Sequence, residues 1–120
     1  MKITALILAT ALSATSSMAL ADSHTMEAKA DAGMKPFMAP MDVMMAKMPM
    51  TSSGMPDADF LRMMIPHHQS AIAMAEVELK MGKDEATKAM AQDIIDAQKA
   101  EIAQMRSMLE GMGVEPPPAE

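Results

Sequence analysis

A chain of 120 residues with 10 Lys/Arg against 16 Asp/Glu has a net charge of −6. That is one domain at most, and it presents no basic surface for nucleic acid or anionic membrane. Cysteine, Tyr and Trp are absent while methionine occurs 19 times, so disulfides and thiolate ligands are excluded and sulfur is supplied only as thioether.

The chain opens like an export leader. Lys2 supplies the positive charge, residues 3–12 an apolar run too short to span a bilayer, and Ala19-Leu20-Ala21 a small-x-small cleavage site. The expectation is a signal peptide over 1–21, cleavage after Ala21, and a periplasmic or secreted product with no remaining membrane segment. Cleavage there would make Asp22-Ser23-His24 the new N-terminus. Its α-amine, two backbone amides and the His24 imidazole would then form a square-planar donor set suited to Cu(II) or Ni(II). The plainer alternative is a tail histidine with no role. Residues 22–35 are polar, Ala-rich and aperiodic, which predicts a mobile tail.

Residues 34–55 hold eight of the methionines. Met41, Met44, Met45 and Met48 recur at three and four, predicting a short helix near 41–48 with one sulfur-lined face. Pro36, Pro40, Pro49 and Pro56 are expected to prevent a longer one. This Met-rich segment, 22–56 in all, reads either as a cover for the bundle or as a thioether trap for Cu(I) or Ag(I).

Residues 57–113 predict a helical hairpin, and no strand pattern competes. The first helix starts at Asp57 or Asp59 as cap and ends at Met81 before Gly82. Pro66 within it predicts a kink. Asp84 caps the second helix, which runs to about Glu110 and stops at Gly111 and Gly113; residues 114–120 form a Pro-rich tail. At about 100° per residue, Phe60, Met63, Met64, His67, Met74 and Met81 share one stripe of the first helix. Leu61, Ile65, Ile72 and Leu79 make an aliphatic one, with His68 and Ala75 at its border. On the second helix Gln98 and Glu101 interrupt an apolar face, and a buried carboxylate needs a partner. Folding at Gly82-Lys83 sets His67 and His68 opposite Gln98, Met64 opposite Glu101, Met74 opposite Met90 and Phe60 opposite Met105.

Imidazoles and thioethers are ligands that copper accepts readily, above all as Cu(I). The candidate ligands are Met63, Met64, His67, His68, Met74, Glu101 and Met105, with Gln98 supporting them and Met41, Met44, Met45, Met48, Met90 and Met108 as auxiliary sulfurs. Ordinary packing is the competing account: Glu101 pairs with Arg62 or a histidine, and His68 is a satisfied border residue.

The run Met64-Ile65-Pro66-His67-His68-Gln69-Ser70-Ala71-Ile72-Ala73-Met74-Ala75, followed by Gln98-x-x-Glu101-Ile102-x-x-Met105, resembles the domain-of-unknown-function 305 family, which includes CopM-like periplasmic copper-binding proteins. The resemblance spans about 57–110. It implies a ferritin-like helical bundle, export, and copper binding or tolerance, with His67, His68, Met64, Met74, Gln98, Glu101 and Met105 as motif residues. Met108 departs from it, standing where much of the family has Trp.

An enzyme is not expected. Paired Glu-x-x-His for di-iron and His-Glu-x-x-His for zinc are missing, two Phe make a poor haem pocket, and no activated nucleophile is evident. The expected function is copper buffering, delivery or tolerance, with the metal ion and a copper-handling protein as partners. The alternative is an interaction module without metal, in which two hairpins dimerise to complete a bundle.

Overall fold

The computed structural model describes the backbone over residues 17–118 and side chains from residue 31 onward. Most of the expected leader, 1–21, and the imidazole of His24 therefore lie outside the described residues. The chain divides into two units, 1–32 and 33–120. The described part of the first is helical backbone; the second carries all that follows.

Three helices make up the described residues, α1 (Ser17–Lys47), α2 (Pro56–Met81) and α3 (Glu85–Gly111), and no strand occurs among them. The fold is all-α, with α2 and α3 packed as an antiparallel hairpin.

α1 corrects the expectation of a mobile segment over 22–35 and a short helix near 41–48: it is one helix containing Pro36 and Pro40. A proline forfeits one backbone hydrogen bond and crowds the preceding turn. Here the two rings stand four residues apart, on one face, and the flanking Ala, Met and Lys favour helix. That face borders a groove of about 360 Å³ with Pro66, Ser70 and Val77 of α2 on its other side. The expected sulfur face is divided: Met44 lines the groove, whereas Met41 and Met45 are exposed.

α2 starts at Pro56, one residue before Asp57 and three before Asp59, the two expected caps. Pro56 occupies the first turn, where a missing N–H costs nothing, and Met55 at the cap position makes no side-chain bond. Asp59 works backwards instead. Its carboxylate accepts from the Ser53 amide at 2.7 Å and from the Ser52 hydroxyl, and Arg62 Nη1 donates to both Asp59 (3.2 Å) and the Thr51 carbonyl (3.1 Å). The loop before α2 is thus pinned to its first two turns. Pro66 is fully buried and α2 continues through it.

The turn follows the sequence closely. The Gly82 amide donates to the Glu78 carbonyl at 2.7 Å, and Asp84 caps α3 by accepting from the Thr87 amide (2.7 Å) and hydroxyl (2.6 Å). After Gly111 the residues 114–118 do not leave the hairpin as a separate tail. Val114 packs on its core, Arg106 donates to the Pro117 carbonyl at 2.5 Å, and Gln69 donates to the Pro118 carbonyl at 3.5 Å. Prolines offer carbonyls but no N–H, so long polar side chains can hold them.

Two clusters form the hairpin core. At the open end Ala58, Leu61, Ile65, Met105 and Leu109 pack together; nearer the turn Ala75, Ala91 and Ile95 do, flanked by Ile72 and Leu79. Burying a Leu or Ile contributes about 1.5–3 kcal/mol, so the aliphatic stripe of α2 fixes which side faces α3.

Candidate metal centre

At the open end one polar pair bridges α2 and α3; its imidazole is buried, whereas the Glu101 carboxylate, expected to be buried, is exposed. His68 is 8% exposed, and its Nε2 lies 2.7 Å from Glu101 Oε2. An ionised carboxylate can only accept, so the proton of this bond belongs to Nε2. Nδ1 is the nitrogen left over from this bond. It is buried and has no hydrogen-bond partner, a condition costing about 1–3 kcal/mol unless something engages that nitrogen.

Three methionines share a groove with this pair. Met64, His68, Glu101, Met105 and Met108 line one groove of about 420 Å³, completed by Phe60, Leu61 and Gln104. Positions 60, 64 and 68 on α2, and 101, 105 and 108 on α3, repeat at three and four, so each set lies along one helix edge. A histidine that donates one ring N–H to a carboxylate has its other nitrogen oriented as a ligand. Among the described residues no three His, Asp or Glu side chains converge, so an ion held here would take sulfur into its coordination.

The register differs from the expected one by about a helical turn. His68 meets Glu101 rather than Gln98. Side chains lean toward the N-terminus of their own helix. In an antiparallel hairpin those of α2 therefore lean away from the turn and those of α3 toward it. Residues that touch consequently stand farther along α3 than a backbone count suggests.

The expected ligands do not all gather. The His67 ring is exposed, 6.2 Å from that of His68 and tilted by 58° to it, and lines none of these grooves. Met63 borders a separate depression with Met50 and Asp59. Met74 and Met90 do meet in one groove, toward the turn, away from His68. Met48 is half-buried, and the Gln98 Oε1 is buried without a partner. Sequence reasoning missed Gln104, three residues beyond Glu101 and so on its edge, and Glu78, which belongs to the Met74 stripe but was not read as chemistry.

The fold and this groove define a class: a small all-α protein whose two-helix hairpin pairs a buried imidazole with an exposed carboxylate beside thioethers. The family profile described as "Domain of unknown function (DUF305)" matches residues 5–109, and the chain belongs to that family. It is also 40% identical over 60 residues to an uncharacterized protein of Acanthamoeba polyphaga mimivirus, a match covering 50% of this chain and 40% of that relative. The chain thus spans less than half of the relative's length.

Proposed function

We propose that this is an exported copper-binding protein that holds Cu(I) between the two helices of the hairpin and serves copper buffering, delivery or tolerance. One observation carries the reading: a buried imidazole, anchored through Nε2 and with a buried, partnerless Nδ1, shares a groove with Met64, Met105 and Met108. That donor set is soft, and Cu(I) prefers it to the harder divalent ions. Thioethers, unlike thiols, form no disulfides, which suits a cysteine-free protein in an oxidising compartment. His67 then acts as an outer ligand, reachable from solvent next to the inner one. A Cu(II) ion at Asp22-Ser23-His24 belongs to the same proposal and requires cleavage after Ala21. It also requires unwinding of helical backbone, because residues 22–24 belong to α1.

Anaerobic Cu(I) titration of the chain and of His68→Ala tests the reading. The substitution is expected to remove the tightest site; unchanged stoichiometry and affinity would overturn it. A second reading rests on exposed apolar surface. Phe60 is 61% exposed beside the groove and Met90 63% exposed nearer the turn, and large apolar patches mark interfaces. Size-exclusion chromatography with and without Cu(I) separates a metal-free dimer, which supports an interaction module, from a monomer that loads copper.

A further inference from the structure

Four thioethers stand outside the copper reading: Met34 and Met38 on α1, and Met50 and Met55 in the loop between α1 and α2. All four are exposed, and Met50, at 90%, is the most exposed large hydrophobic among the described residues. At the other extreme is Met105, 8% exposed and packed with Leu61, Ile65 and Leu109. It is the one methionine in the buried core of the described residues. The chain has no thiol, indole or phenol. A two-electron oxidant therefore meets thioether as the most readily oxidised group, and access decides which sulfur it reaches first.

What oxidation does to the fold depends on where it falls. A sulfoxide is polar and chiral, and inside a core it disrupts packing. At Met105 it would set an oxygen against aliphatic side chains that have no donor to offer. At Met50 and Met55 the new oxygen stays in water, outside any helix. The loop that carries them is fastened without sulfur. The Ser53 amide donates to Asp59, Arg62 donates to the Thr51 carbonyl, and the bonds between Ser53 and Met55 use only the Met55 backbone. None of the four lies on α2 or α3, and both clusters of the hairpin core pack without them.

We propose that Met34, Met38, Met50 and Met55 are a reversible oxidation site, with Met50 foremost, that consumes peroxide or hypohalous acid ahead of the core at Met105. The proposal does not rest on copper. The sulfur lone pair attacks one oxygen of hydrogen peroxide; an S–O bond forms and the O–O bond breaks. The second oxygen leaves as water after taking up the proton of the first. Sulfur is oxidised by two electrons and the peroxide is reduced by two. Hypochlorous acid transfers its oxygen in the same way and departs as chloride and a proton. Return to the thioether takes two electrons from a dithiol through methionine sulfoxide reductases, one enzyme for each epimer, with water and a disulfide as products.

Hydrogen peroxide is the probe, added in limiting steps to the full chain kept metal-free by a chelator. Peptide mass spectrometry follows each methionine, and circular dichroism follows helicity. With rate following access, exposures of 90% and 8% put Met50 about tenfold ahead of Met105. Helicity is expected to hold while the four gain oxygen and to fall only as Met105 does. Both sulfoxide reductases with dithiothreitol should then return the early product to its starting mass. In Met34→Leu/Met38→Leu/Met50→Leu/Met55→Leu, close to volume-conserving, the share of a limiting dose that reaches Met105 is expected to rise by about half. Equal rates at Met50 and Met105 overturn the proposal. So does a loss of helicity in step with the first four sulfoxides, or an unchanged share at Met105 in the variant. Should the variant not fold, the order of oxidation in the unsubstituted chain decides. Because the chelator removes metal throughout, every one of these results leaves the reading of the His68 groove where it stands.

Discussion

The two ends of the hairpin are built from the same two helices and differ in what they pack. The open end buries Leu61, Ile65, Met105 and Leu109, two of them with no exposed surface at all, and carries the His68–Glu101 pair beside that core. The turn end closes on Ala75, Ala91 and Ile95 and carries sulfurs with no imidazole beside them. Spacing between packed helices follows the size of the side chains at their contact. The turn end presents Ala75 and Ala91 to this contact, whereas the open end presents Leu61, Ile65, Met105 and Leu109. Stability and nitrogen chemistry therefore belong to one end and a shallow thioether groove to the other.

The sharpest way to break that division is to hollow out the open end. Leu109→Ala is expected to cost about 2–5 kcal/mol, and Ile95→Val at the turn end about 0.5–1.5 kcal/mol, both read from urea midpoints at constant m. Comparable losses from the two substitutions would mean that stability is spread evenly along the hairpin. Next in size, Glu101→Gln should leave the fold intact and weaken Cu(I) binding by about 10–100-fold, because the carboxylate sets the ring's tautomer and basicity. An affinity unchanged by this substitution would reduce the pair to ordinary packing.

At the turn, Gly82→Ala probes the other end. The added Cβ would lie 2.6 Å from the Glu78 backbone carbonyl as well as against its carboxyl group. Overpacking of this kind costs typically about 1–3 kcal/mol. Adding Glu78→Ala should restore only part of the loss, since the backbone contact remains. Full restoration would show that the side chain alone makes glycine necessary there.

The hairpin was legible because its ends are written in local chemistry: Asp84 before α3, Gly82 after α2 and the glycines at 111 and 113 each act within one turn. α1 was not, because Pro36 and Pro40 were weighed as breakers when each removes a single bond and the helix-forming neighbours carry the chain past them. Of the candidate site, Met64, His68, Glu101, Met105 and Met108 were readable as edges of helical stripes. His67 was misplaced for an instructive reason. The stripe centred on it holds most of the sulfur, but Leu61 and Ile65 decide which side α3 covers, so the border residue His68 turns inward and the centre of the sulfur stripe stays outside. Register was off by a turn because a backbone count ignores the lean of side chains.

The smallest expected effect concerns the loop that joins α1 to the open end, and acid should expose it. The Ser52 hydroxyl, the Ser53 amide and side chain, and Arg62 together hold Asp59 down to about 2, against 3.8 for an ordinary aspartate. A carboxyl group lowered on folding stabilises the folded chain above its unfolded pKa, and that contribution fades as pH falls toward the folded value. The clamp is therefore fully present at neutral pH and is lost between about pH 4 and pH 2. Asp84, lowered by the Thr87 hydroxyl and then its amide, fades in the same direction, so the two must be separated by substitution. Asp59→Asn should remove the low-pH shift of the Ser53 amide resonance while leaving that of Thr87 unchanged. Because this loop adjoins Met63 and not the His68 groove, Cu(I) stoichiometry at neutral pH should be the same in Asp59→Asn as in the unsubstituted chain. A lost ion would mean that the loop and its sulfurs, rather than the hairpin seam, hold the metal.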